Sequence, residues 1–167
     1  MKDEGLGGET RPVPFFAPGH GIRTLFVVKP LGKRGIAEGE APVGCVLALG
    51  SGPDLRVVAR GHNQLNALGR RTAHAEMVAF ESADSRDGRP PTLPLDAEAI
   101  IMVSTLEPCV MCLGAAMEAG AARVLFGLNA PADNGTQQVK PPESPKSGGW
   151  KVRRAQSRPS SWSSFWR

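Results

Sequence analysis

Cysteine is scarce in this chain, with three residues among 167. That is too few for a disulfide framework, and the odd count argues against a secreted, cross-linked protein. Long apolar runs are lacking too. No stretch approaches 18 uninterrupted apolar residues, so no membrane-spanning helix is expected. The first residues, MKDEGLGGETRP, carry acids and no apolar h-region, which excludes a signal peptide at that position and makes the cytoplasm the expected location. Acidic residues are missing from one region only. Residues 1–145 hold 14 Lys or Arg against 16 Asp or Glu, whereas residues 146–167 hold six basic residues and no acid. The basic character therefore belongs to the tail. A patch there could attract nucleic-acid phosphates, and a solvated tail accounts for it equally well.

A chain of this length supports one hydrophobic core and one domain. Residues 1–30 form a divergent N-terminal segment in which Pro12, Pro14 and Pro18 disfavour regular structure. Pro30 opens a short helix over Leu31 to Glu38. Val43 to Leu49 and Leu55 to Ala59, separated by Gly50-Ser51-Gly52-Pro53, read as an antiparallel hairpin. Asn63 to Arg71 reads as a loop. Thr72 is placed to cap a helix from Ala73 to about Ala83, and Asp84 to Pro94 is a surface loop. Ile100 to Thr105 reads as a buried strand. Pro108 opens a second helix over Cys109 to Ala119, stopped by Gly120, and Ala122 to Gly127 returns as a strand beside the Ile100 strand. Beyond Asn129 the periodicity fails. Residues 130–167 form a Pro/Ser-rich basic tail, with five serines in Ser157–Ser164 flanked by Trp150, Trp162 and Trp166.

Two of the three cysteines fall in Pro108-Cys109-Val110-Met111-Cys112, downstream of His74-Ala75-Glu76. Cys109 and Cys112 are three apart at a helix start, so their side chains share one face. Unpaired N–H groups there stabilise thiolates, the form that binds metal. With His74 at the start of the other helix, the three suit one Zn2+ and leave a fourth position for water. Cys45 reads as a buried free thiol, and His20 and His62 as surface or loop residues. Glu76, two residues beyond His74, can approach a metal-activated water and move its protons. The chemistry expected is hydrolytic: water attacks a ring carbon bearing an exocyclic amine, Glu76 carries the proton to the ring nitrogen, and ammonia leaves. Backbone N–H groups near Ala75 and Cys109 are placed to hold the base edge and the water.

Taken together, Glu40-Ala41-Pro42-Val43-Gly44, Gly61-His62-Asn63, Thr72-Ala73-His74-Ala75-Glu76 and Thr105-Leu106-Glu107-Pro108-Cys109-Val110-Met111-Cys112 resemble the cytidine and deoxycytidylate deaminase superfamily. The branch most similar is that of tRNA adenosine deaminases and bacterial guanine deaminases. Gly114-Ala115 and Val124-Leu125-Phe126-Gly127 extend the match, which covers residues 31–129. The resemblance implies a three-layer α/β/α cytidine-deaminase-like fold around a central, mostly five-stranded mixed sheet. It implies zinc on His74, Cys109 and Cys112, proton transfer by Glu76, base contact by Asn63, and a substrate-facing surface formed by Val43 and Ala75. A homodimer is implied as well.

The chain departs from the relatives at three points. Arg70-Arg71 stand where the tRNA branch often has Asp-Pro. The N-terminal helix is short, with Phe15-Phe16 and Leu25 to Val28 in unfamiliar company. Asn134-Gly135-Thr136 and the proline-rich tail replace a further strand and a C-terminal helix. Both ends read as divergent specificity elements, although a tail in an altered reading frame would look the same. The leading expectation is an aminohydrolase acting on a free nucleobase or nucleoside. A tRNA adenosine deaminase making inosine is the alternative, with tRNA as partner. A nucleic-acid-binding protein with a structural zinc and a Trp/Arg tail would instead need a fourth protein ligand.

Overall fold

The computed structural model describes residues 21–50, 55–84, 90–93, 100–130, 132–138 and 151–154. The serine run, the three tryptophans, His20 and the prolines near residues 12–18 and 141–145 lie outside them. In chain order the elements are α1 (Gly21–Ala37), β1 (Gly44–Leu49), β2 (Arg56–His62), α2 (Leu65–Leu68), α3 (Ala75–Ala83), β3 (Ile100–Leu106), α4 (Val110–Glu118), β4 (Ala121–Leu128), α5 (Gly135–Gln138) and β5 (Lys151–Arg154). The strands form one sheet in the order β2-β1-β3-β4-β5. The first two pairings are antiparallel and the last two parallel, so the sheet is mixed as expected.

Alternation along the strands divides the core into two layers. On one face Cys45, Leu47, Leu49, Ile100 and Met102 pack against Ala75 and Ala79 of α3 and Leu113 and Ala116 of α4. On the other, Val46, Ala48, Ile101 and Val103 pack with Val28 of α1. The architecture is therefore α/β/α. All six residues of β1 are buried, because helices cover both faces of a strand that sits inside the sheet. Truncating Leu47, Met102 or Leu113 to alanine is expected to cost about 2–5 kcal/mol each.

Small residues set how closely α3 approaches the sheet. A Cβ on Gly61 of β2 would lie 2.2 Å from the carbonyl oxygen of Ala75 and 2.5 Å from the nitrogen of Ala79. Only hydrogen fits there. The contact fixes the first turn of α3, and hence His74 and Glu76, against the end of β2.

Several boundaries differ from the sequence reading. α1 begins at Gly21 rather than Leu31, and Pro30 lies inside it instead of opening it. Packing of Val28 in the core offsets the backbone bond that proline cannot make. The expected loop over Asn63 to Arg71 contains α2, closed by Gly69 in the left-handed region at φ 59°. His74, not Thr72, is the N-cap of α3. After Asn129 the chain still forms α5, and β5 extends the sheet beside β4, because strand pairing supplies order that local periodicity does not show. No helix among the described residues is long and apolar enough to cross a membrane.

Candidate active site

The site lies where two helices begin. His74 is the N-cap of α3 and Cys109 the N-cap of α4; both have extended backbones and neither makes a side-chain capping bond. Serine or aspartate would ordinarily fill such positions and satisfy the free N–H groups of the first turn. Here the cap side chains turn toward each other instead. The Cys109 Sγ is 3.7 Å and the Cys112 Sγ 3.6 Å from His74 Nδ1, and the two sulfurs are 3.6 Å apart. A tetrahedral zinc with ordinary bond lengths separates its ligands by about 3.8 Å for S···S and about 3.6 Å for S···N. The three donor atoms therefore already have the spacing of zinc ligands. Among the described residues this is the group of side chains that could hold a metal, and it contains three ligands.

The electrostatics agree with that fit. The Cys112 thiol and then His74, both hydrogen-bonded to Cys109, hold its thiolate down to about 3. Cys112 is pushed well up, first by its hydrogen bond with Cys109 and then by burial. His74 is raised, chiefly by its bond to Cys109. The cluster thus favours a thiolate at Cys109, the form that binds a metal.

Glu76 stands beside this cluster, 2% exposed. Burial raises its pKa, and the Ser104 hydroxyl, donating to Oε1 at 2.7 Å, opposes the rise. Asn63 bridges two walls of the site. Its backbone N–H donates to the Val43 carbonyl at 3.2 Å, and its Oδ1 accepts the Ala75 N–H at 2.8 Å. With the oxygen so engaged, the Nδ2 of Asn63 is the end left for another acceptor. Thr105 brackets Val43 in turn, accepting from the Gly44 N–H at 3.0 Å and donating to the Pro42 carbonyl at 3.4 Å.

A cavity of about 230 Å³ is lined by His74, Glu76, Cys109, Ala41, Val43 and Asn63. Leu106, Glu107 and the segment bearing Ala130, Ala132 and Asp133 complete it. Glu107 is buried and fastens that segment: it accepts the Ala130 N–H at 3.2 Å and the Thr136 hydroxyl. Gly135 packs so tightly on the start of α4 that a Cβ would lie 2.6 Å from the Pro108 carbonyl oxygen.

The structure thus brings His74, Cys109, Glu76, Asn63 and Val43 to one cavity, with Cys112 grouped against His74 and Cys109. Ala75 is not among the residues that line it; it is fully buried, and its N–H is taken by Asn63 rather than facing a substrate. His62 is not a surface residue. It is 3% exposed at the end of β2, with Nε2 2.7 Å from Oε2 of Glu38, because the end of α1 folds over it. Cys45 is a buried free thiol, as expected. Sequence reasoning passed over Ser104, Glu107 and Thr136. The signal for Ser104 was a hydroxyl inside an otherwise apolar strand, which needs a partner if buried.

An α/β/α sheet with histidine and cysteine ligands on two helix N-termini defines a zinc protein whose metal site adjoins a pocket. Residues 24–128 match the family described as the cytidine and deoxycytidylate deaminase zinc-binding region, and the chain belongs to that family. Its cofactor is a single zinc ion. A tRNA-specific adenosine deaminase of Streptococcus pyogenes serotype M18 is 32% identical over 109 residues, 64% of this chain and 63% of that protein. A tRNA(Ile)-lysidine synthase of Deinococcus deserti is 40% identical over 92 residues, 55% of this chain but 16% of the relative. The chain therefore spans less than two thirds of either relative. A solved structure from a study of A-to-I editing by tRNA:A34 deaminases superposes with a TM-score of 0.58 at 25% identity, covering 79% of this chain and 96% of that one.

Proposed function

We propose that the chain catalyses zinc-dependent hydrolytic deamination of an exocyclic amine on a nucleobase or nucleoside, releasing ammonia. One observation carries this reading: the buried carboxylate of Glu76 beside a metal cluster of three ligands. A structural zinc has no use for such a group, and a fourth protein ligand is the feature it would need. Bound at His74, Cys109 and Cys112, zinc supplies a Lewis acid that makes water nucleophilic near neutral pH. Glu76 accepts a proton from the attacking water and delivers it to the ring nitrogen as the C–O bond forms. It then carries the second proton to the amine, the C–N bond breaks, and a carbonyl remains on the ring. Burial suits Glu76 to both transfers, since a raised pKa brings it closer to the operating pH. Asn63 Nδ2 donates to an acceptor on the base, and Val43 forms the apolar wall against its face.

The cavity is smaller than the about 300–1,000 Å³ typical for drug-sized ligands. Its volume is sufficient for one base. A tRNA adenosine, converted to inosine, is the second reading, favoured by the likeness to the Streptococcus tRNA-specific adenosine deaminase. A homodimer in the cytoplasm belongs to the same proposal, with the exposed Val110 at the start of α4 offering an apolar contact beside the pocket. The test is ammonia release by zinc-loaded protein from adenine, guanine, cytosine, their nucleosides and a tRNA anticodon stem-loop. Release from one of these, abolished by Glu76→Ala, is the expected result. Release confined to the stem-loop selects the tRNA reading, and release unchanged by Glu76→Ala would contradict the mechanism.

A further inference from the structure

Ser104 follows Ile100 and Met102 at alternate positions of β3, so its side chain points to the face covered by α3 and α4. It is fully buried, and its Oγ lies 2.7 Å from Oε1 of Glu76. A hydroxyl has one hydrogen to give. The other acceptor in reach, the Gly44 carbonyl, is 3.4 Å away, so the carboxylate takes the hydrogen. A buried hydroxyl without a partner is costly; this one is spent on the group that moves protons.

Resting on the reading of Glu76 as proton carrier, we propose that Ser104 is a positioning residue that holds the Glu76 carboxylate in one orientation. Its O–H anchors Oε1 and so fixes the plane of the carboxylate. Oε1 accepts from Ser104 in both states, since a protonated carboxyl keeps an acceptor oxygen. The carboxylate need not turn between the two transfers, and a glutamate with three side-chain torsions is held in one working orientation.

The test compares Ser104→Thr, Ser104→Val and Ser104→Ala in zinc-loaded protein, on whichever probe of the panel above releases ammonia fastest. Threonine and valine add the same bulk and differ in the hydroxyl, so their comparison cancels any packing cost. Ser104→Val and Ser104→Ala are expected to lower kcat about 10- to 100-fold, with KM and zinc content nearly unchanged, and Ser104→Thr to recover most of the loss. Equal turnover by Ser104→Thr and Ser104→Val, or a loss confined to KM, would overturn the positioning role. Glu76→Gln separates the two levels of the argument. If it is inactive while the threonine and valine variants match, only the role of Ser104 falls; if it is fully active, the proton-carrier reading falls and takes the proposal with it.

A second arm needs no substrate. Urea unfolding of the four proteins built from Ser104→Ala and Glu76→Ala measures the coupling of the pair. Non-additivity of about fivefold or more in the unfolding constant is expected from a buried bond to a carboxylate. Additive effects would show that the two groups do not hold each other, and would overturn the proposal.

Discussion

The two faces of the sheet use polar atoms differently. On the α3/α4 face, polar groups converge on one small volume: His74, Cys109, Cys112, Glu76, Ser104 and Asn63 are within or against the cavity. On the α1 face they act as fasteners. Glu38 bonds His62 and Arg34, and Glu40 accepts the N–H groups of Asn66 and Ala67 at 2.7 and 3.0 Å, tying the end of α1 to β2 and α2. Glu40 is buried as Glu76 is, but the two are placed differently. Glu40 is held by backbone donors away from the cavity, whereas Glu76 lines the cavity beside the metal ligands.

The contrast predicts a graded set of outcomes. Removing a ligand has the largest effect: Cys112→Ala is expected to abolish both stoichiometric zinc binding and ammonia release, measured by metal analysis and by activity. Next comes Glu76→Gln, expected to lower kcat about 10²–10⁴-fold while zinc remains bound. The pH profile belongs with it. Glu76 works as a base when ionised and its pKa is raised by burial, so activity should fall on acidification at a pH above the ordinary glutamate range. An acid limb at or below 4.5, the ordinary glutamate value, would remove burial from the account.

Further down, Gly61→Ala drives a methyl group into the backbone of α3. A loss of about 1–3 kcal/mol in urea unfolding is expected, with kcat reduced as well because His74 and Glu76 shift. Val28→Ala, on the opposite face, should cost about 1–3 kcal/mol of stability and leave the kcat of the folded enzyme within about twofold. A large change in kcat from Val28→Ala would erase the distinction between the faces. The smallest effect concerns Glu38. Its bonds to Arg34 and then His62 depress its pKa, so they add stability above the ordinary value of 4.5 that is lost as pH falls through the depressed value. Glu38→Gln should flatten that acid slope in thermal melts.

The grouping of His74, Cys109 and Cys112 beside Glu76 was legible in the sequence because spacing places these side chains. His-x-Glu and Cys-x-x-Cys put side chains at fixed offsets on helix starts, and two helix starts are enough to build the site. The hairpin and the parallel β3–α4–β4 unit were legible for a similar reason, since apolar runs and their glycine or proline boundaries are local. What stayed hidden depends on partners distant in the chain. Ser104 is an ordinary strand serine until α3 brings Glu76 to it from 28 residues away. His62 read as a loop residue because nothing nearby showed that Glu38 would close over it. Ala75 offered a backbone N–H that Asn63 had already claimed from 12 residues upstream. α5 and β5 escaped notice because their order comes from packing on Pro108 and pairing with β4, not from periodicity.

The central claim is that the zinc has three protein ligands and one position open to water beside Glu76. X-ray absorption at the zinc edge of the zinc-loaded protein tests it most directly. Two sulfurs at about 2.3 Å with one imidazole nitrogen and one further light atom at about 2.0–2.2 Å is the predicted shell, and Cys112→Ala should remove it. A third sulfur or a second imidazole would mean a closed structural site, and would contradict the assignment of Glu76 to catalysis.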